Sequence, residues 1–333
     1  MHFDNSDQTI LKILREIYAG SNELSAKALS KLKTFEKRST SSRTINRNDH
    51  FLEFPKQFSS YTPVMDSYGR KAVGGGYFLV INGYGCVIDP GHHFLQNFFC
   101  LGRTINDIDA IFVTHFHDDH YADLPALLSL LYRRSKAKPD SKVDVFLDSE
   151  TFNLFNPILS TADYVGKLER LSSSKKLEYE SPMQISAECL PTHHNVFGKY
   201  DTGVGLHFKL KLKGSSIIIT GDTAWNEEIE KYYRMRFHEL NAAKILIAHV
   251  STVHKDEGAI IGADYYVENP MPHKNHLAIY GLCKCISATR PERVILSEIG
   301  EELEGIIDKI GEIISEHYQV AVSVARMGSN IIL

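Results

Sequence analysis

The sequence predicts an α/β sandwich with sheets inside and helices outside. Strand-like runs come in meanders, as in "GGGYFLVINGYGCVIDPG" (74–91), where two apolar stretches flank a tight "NGYG" turn. Other strand-like runs alternate with helix-like ones from residue 108 onward. A chain of 333 residues that is 43% hydrophobic can also bury a large core.

The elements follow in order. Ile10, Leu11, Leu14, Ile17 and Tyr18, then Leu24, Ala28, Leu29 and Leu32, recur at helical spacing, which predicts two accessory helices over 6–36 broken near "AGSN". "KRSTSSRTINRNDH" (37–50) is basic, serine-rich and without apolar period, so it reads as a solvated linker. Residues 1–50 thus form an accessory region and 51–333 the main domain. Past the hairpin, "IDAIFVT" is a strand, "DLPALLSLLYRR" a helix, "KVDVFLD" a strand and "GLHFKLKLKGSSIIITGD" a second hairpin, on whose polar face His207 is expected to meet solvent. "AKILIAH" is a strand, "HLAIYGLCKCISA" a helix, "RVILSEI" a strand, "EGIIDKIGEIISEHY" a helix and "AVSVA" a last strand.

Charge and composition exclude some classes. A net charge of −4 gives no global attraction to nucleic acid or membrane, and no stretch reaches the roughly 18 apolar residues of a membrane span. Five cysteines without paired-ligand spacing argue against a disulfide scaffold, so a reducing, cytoplasmic setting is expected.

"HFHDDH" (115–120) packs three histidines and two aspartates into six positions where a strand ends. His115 and His117 are too close in sequence to share a helix face, but a loop can turn both imidazoles toward one point. Asp119 and His120 begin the next turn and can serve a second point. Imidazole and carboxylate together suit zinc or another first-row ion. Further donors follow other predicted strands: His193 or His194 in "LPTHHN", Asp222 in "IIITGDT", and Asp89 in "VIDPG" as a support from behind.

The order H-x-H-x-D-H, preceded by "DPG" and followed by a histidine and then "GDT", resembles the metallo-β-lactamase-fold hydrolases over roughly residues 70–333. The resemblance implies a four-layer αββα sandwich, to which this chain adds its N-terminal helices. It assigns His115, His117 and the "THH" histidine to one metal, Asp119 and His120 to a second, and Asp222 to both. His194 fits the family pattern better, with His193 as the alternative. Where the family places a late histidine on the second metal, this chain has Glu298 in "ILSEIGEE". Glu298 is therefore a ligand favouring a harder ion such as manganese, or the second ion is held weakly, or Glu298 is an exposed loop residue.

"VTHFHDDHYADLPALLSLLY" is closest to the ribonuclease Z-like branch. That likeness implies two divalent ions, zinc first and manganese next, and a water made nucleophilic between them and oriented by Asp119. It implies His249 in "LIAHVST" as the proton donor to the leaving oxygen. His276 in "KNHLAIYG", helped by Lys274, would grip phosphate; against the likeness, "AHVST" lacks the acid that follows the histidine corresponding to His249 in that branch. RNA or another nucleotide phosphodiester is the implied substrate, and a homodimer the implied assembly. A hydrolase of lactones or thioesters, and a catalytically weak scaffold, are the competing expectations.

Overall fold

The computed structural model describes residues 42–56, 75–173, 176–177, 185–200, 202–210, 214–237, 243–252, 272–300 and 303–333, and scattered positions between 8 and 31. The accessory helices expected over 6–36 lie almost wholly outside these residues.

Strands β1 (His50–Glu53), β2 (Tyr77–Ile81) and β3 (Tyr84–Ile88) pair antiparallel, and β4 (Ala110–Val113), β5 (Val143–Leu147) and β6 (Val165–Arg170) extend the sheet in parallel. Between them lie helices α1 (Phe94–Cys100), α2 (Asp118–Tyr121), α3 (Leu124–Ala137) and α4 (Ser149–Leu159). The second sheet starts antiparallel with β7 (Lys176–Leu177) and β8 (Ile185–Pro191). A short ribbon, β9 (Asn195–Val196) with β10 (Lys199–Tyr200), then interrupts the chain. Next come β11 (Val204–Leu210) and β12 (Ser215–Ile219), followed in parallel by β13 (Ala243–Ser251), β14 (Arg293–Ile299) and β15 (Ala321–Val324). Helices α5 (Glu227–Phe237), α6 (Ala278–Thr289) and α7 (Ile307–Tyr318) connect them, and β16 (Asn330–Ile332) returns to pair with β1.

Side-chain alternation makes the layers. Along β2, Tyr77, Leu79 and Ile81 enter a core shared by both sheets, while Phe78 and Val80 face α1 and α3. On β12, Ile217 and Ile219 point to the shared core and Ile218 to the helices α5, α6 and α7. Phe112 spans the gap, stacking on Phe146 of its own sheet at 4.6 Å and meeting Phe208 of the other edge-on at 5.4 Å. The result is the expected αββα sandwich. No helix among the described residues is long and apolar enough to cross a membrane.

Two expectations change. The stretch read as a linker is strapped to the body from residue 43: the Arg43 guanidinium donates to Asp109 and to the Gly83 carbonyl, and Ile45 is buried. The Thr44 amide and hydroxyl donate to the two Asp107 oxygens at 2.6 and 2.8 Å. Because these partners lie 40 to 66 residues downstream, local composition carries no sign of them. Asp107 also accepts from the Thr104 amide at 2.7 Å, so Asp107→Ala strands several donors in a buried place. The expected cost is about 3 kcal/mol, read from urea unfolding. His207, expected at the surface, is fully buried, because Glu188 pairs with it across the strands and Arg236 of α5 covers that carboxylate.

In open α/β sheets ligands gather beyond the carboxyl ends of parallel strands. Here that edge collects Asp89 after β3, the 115–120 loop after β4, Asp222 after β12, His249 on β13 and Glu298 on β14.

Candidate metal centre

Asp89 organises the first half of the site. It sits at positive φ of 52°, and its oxygens accept from the Thr114 amide at 2.6 Å, the Thr114 hydroxyl at 2.7 Å and His120 Nδ1 at 3.0 Å. The Thr114 hydroxyl, having given its proton to Asp89, accepts from His115 Nδ1 at 3.2 Å. Nε2 of His115 therefore carries a lone pair and points inward. Gly91 of "DPG" is needed at this corner, because a Cβ there would meet the Asp119 carbonyl oxygen at 1.7 Å.

The second sheet supplies the rest. His194 Nδ1 donates to the Asn275 carbonyl at 2.8 Å, which leaves its Nε2 as a lone pair too. The backbone turn that presents Asn275 is held by His273, whose Nδ1 accepts from the amides of Asn275 and His276 at 3.2 and 3.0 Å. His193 takes no part in the cluster, since its ring stacks on Tyr200 at 4.9 Å. Neighbours at a strand end point opposite ways, and His194 is the one turned inward.

These atoms converge. His117 Nδ1 lies 3.1 Å from His115 Nε2 and 3.2 Å from His194 Nε2. Nitrogens about 2.0–2.1 Å from a tetrahedral zinc lie roughly 3.3 Å from one another. Asp222 Oδ2 stands 3.9 Å from Nε2 of both His115 and His120, 4.0 Å from His194 Nε2 and 3.6 Å from His276 Nδ1. His120 Nε2 is 3.6 Å from Asp119 Oδ2 and is buried without a hydrogen-bond partner, as is His276 Nδ1. Three overlapping groups result: His115, His117 and His194; His115, His120 and Asp222; His194, Asp222 and His276.

Electrostatics point the same way. Burial, reinforced by His120, His194 and the other rings, keeps His115 well below its ordinary range and lowers His117, so both stay neutral and able to offer a ring nitrogen to a cation. Burial opposes charge on His120 as well, yet Asp119 and Asp89 outweigh it and lift that ring to about 10. Burial alone would raise Asp222, but the His249 hydrogen bond and the neighbouring rings hold it well below the carboxylate range. Converging lone pairs beside ionised carboxylates form a cradle for positive charge, and the donor set fits divalent cations.

His249 and Glu298 do not take the places expected of them. His249 is fully buried, its Nδ1 donating to Asp222 Oδ1 at 2.9 Å and its Nε2 accepting from the Tyr77 hydroxyl at 2.9 Å. Tyr77, pushed well above its usual range by burial and by Glu298, remains a donor, and itself accepts from Ser297 at 2.9 Å. No ring nitrogen of His249 is left for a leaving group, so it is a positioning residue for Asp222. His249→Gln is expected to weaken metal binding about 10- to 100-fold in chelator competition. Glu298 is neither an exposed loop residue nor part of any ligand group among the described residues; it is buried at positive φ of 50°, its carboxylate bound by Lys56. Lys56 comes from the segment after β1, so nothing near "ILSEIGEE" announces it.

His276 enters the cluster instead of standing back from it, while Lys274 is exposed. Tyr77, Asn275 and Lys56 were not legible as site residues, because an inward tyrosine, a backbone carbonyl and a distant lysine carry no motif.

The chain matches the family model described as Anti-Pycsar protein Apyc1 over residues 67–256. Ribonuclease Z of Thermobifida fusca (strain YX) is 33% identical over 70 residues, 21% of this chain, and the chain spans only 22% of that relative's length. The metallo-β-lactamase fold protein YhfI from Bacillus subtilis superposes with a TM-score of 0.60 at 14% identity, covering 84% of this chain and 98% of that one. Unliganded yeast PDE1 gives 0.59 at 11% identity, covering 86% and 100%. The short form of human tRNase Z gives 0.56 at 16% identity, covering 84% and 98%. These likenesses show the metallo-β-lactamase fold. Since the family match takes in more than half of the 333 residues, the chain belongs to the Anti-Pycsar protein Apyc1 family.

Proposed function

We propose that the chain is a dinuclear metal-dependent phosphodiesterase acting on RNA or another nucleotide phosphodiester. The observation that carries it is the convergence of His115, His120, His194 and His276 on the single carboxylate Asp222, with His117 closing a group with His115 and His194. These residues would hold two divalent ions, zinc first and manganese next, which when bound would supply Lewis acidity and lower the pKa of water toward neutrality.

The chain's own groups then have separable tasks. Asp222 is shared by two of the three ligand groups and is kept rigid by His249 and Tyr77. Asp119, more open than Asp222, is placed to orient the attacking water and take its proton. His276, kept neutral by burial although Asp222 opposes this, sits at the rim with 23% of its side chain exposed. It is the group best placed to hold a phosphoryl oxygen. With His249 fully engaged and His276 neutral, the leaving oxygen takes its proton from water.

The ribonuclease Z relative over its 70 residues and the likeness to yeast PDE1 support a phosphodiester over an ester or thioester. Membership of its family would put this chemistry to use in an anti-Pycsar role. The test is turnover of bis-p-nitrophenyl phosphate beside a lactone and a thioester, each with zinc and with manganese, plus metal analysis of the purified protein. Close to two ions per chain with turnover of the phosphodiester alone is expected. Turnover confined to the lactone or thioester, or a protein that takes up no metal, overturns the reading.

A further inference from the structure

The ribbon β9–β10, immediately after His194, carries two features that folding alone does not explain. Its two-residue turn, Phe197–Gly198, has positive φ at both positions, 49° and 84°. Turns of this kind favour asparagine followed by glycine, and a bulky aromatic at positive φ is strained. The Phe197 ring is also 72% exposed. The positive φ costs stability and the exposed ring recovers none of it by burial, and backbone strain of this kind clusters at ligand sites.

The surroundings say which ligand. Phe197 meets His117 of the metal centre edge-on, with ring centroids 5.3 Å apart, and Phe116 at 6.2 Å. Phe116 in turn stacks on Tyr121 at 4.6 Å and 10°. The turn is pinned by the Gly198 amide, which donates to Asn195 Oδ1 at 2.7 Å, so the ring is presented from a fixed support. Perpendicular to His117 and largely exposed, the ring has a π face open to a planar group entering beside the phosphate position.

We propose that Phe197 is the stacking platform for the nucleobase of the substrate, and that the ribbon is the base-binding arm of the site. The identity of the ligand rests on the phosphodiesterase reading above. Phosphate at the histidine cluster and base on Phe197 are then neighbours, as they are in a nucleotide, and stacking of this kind accepts every base because each has a π face.

The experiment compares p-nitrophenyl thymidine 5′-phosphate, which carries a base, with methyl p-nitrophenyl phosphate, which does not; the leaving group is the same. In Phe197→Ala the preference for the base-bearing ester, taken as the ratio of kcat/KM values, is expected to fall about tenfold, chiefly through KM, and Phe197→Trp to keep it. An unchanged ratio overturns the proposal. A ratio unchanged while light scattering shows a dimer becoming a monomer assigns the exposed ring to a second copy of this chain, and overturns it equally. If the parent protein hydrolyses neither ester, the phosphodiesterase reading falls by itself, and the platform is judged by calorimetric titration with thymidine 5′-monophosphate. Binding about tenfold weaker in Phe197→Ala then supports it, and equal binding or none to either protein overturns it.

Discussion

Asp222→Ala is expected to lower kcat/KM for bis-p-nitrophenyl phosphate by at least about a thousandfold and to leave the protein short of metal after dialysis. One oxygen of Asp222 lies 3.6 to 4.0 Å from nitrogens of His115, His120, His194 and His276, and the other is bound by His249. Removing it leaves two histidine groups with no shared anion between them. A Lewis acid contributes several kcal/mol of transition-state stabilisation, and each 1.36 kcal/mol is tenfold in rate, which gives the thousandfold figure as a round value. The loss should exceed that of His249→Gln, because His249 acts only through Asp222. A variant that keeps its metal and stays within tenfold of the parent would show that Asp222 is not the hub of the site.

Lys56→Met is expected to destabilise the fold by about 3–5 kcal/mol while leaving every metal-cluster side chain in place. Lys56 and Glu298 are both buried, and the lysine ammonium also lies 5.4 Å from the Tyr77 ring centroid. Taking away the cation strands a carboxylate in the core, which is far costlier than never burying the pair. Adding Glu298→Gln to Lys56→Met should therefore recover much of the loss. Urea unfolding of the two single variants and the double variant measures both quantities. A loss under about 1 kcal/mol in Lys56→Met would mean that water reaches the pair.

The donors from one loop were readable because local chain geometry brings them together: His115, His117, Asp119 and His120 need only six residues and a strand end. Asp222 was readable for a related reason, a sharp turn after a run of isoleucines. His193 against His194 depended on the register at the end of β8, which pattern alone leaves open. Roles set by partners across the fold were not readable. Nothing around "LIAHVST" says that Tyr77 caps His249, and nothing around Glu298 says that Lys56 neutralises it. The layers followed from alternation in β2 and β12, whereas the sequences of β1 and β16 carry no such pattern. Each is three or four residues long, and Phe51 finds Ile332 only once the rest of the sheet exists.

The donors are contributed by both halves of the sandwich: the 115–120 loop hangs from the first sheet, and His194 and Asp222 from the second. A cation bound among them would be a further cross-link between two layers joined mainly through apolar packing and by a few polar contacts such as Tyr77 with His249 and Lys56 with Glu298. Removing it with a chelator would thus loosen the seam of the molecule as well as silence its chemistry, so that resistance to heat or protease would report on occupancy without any substrate being turned over.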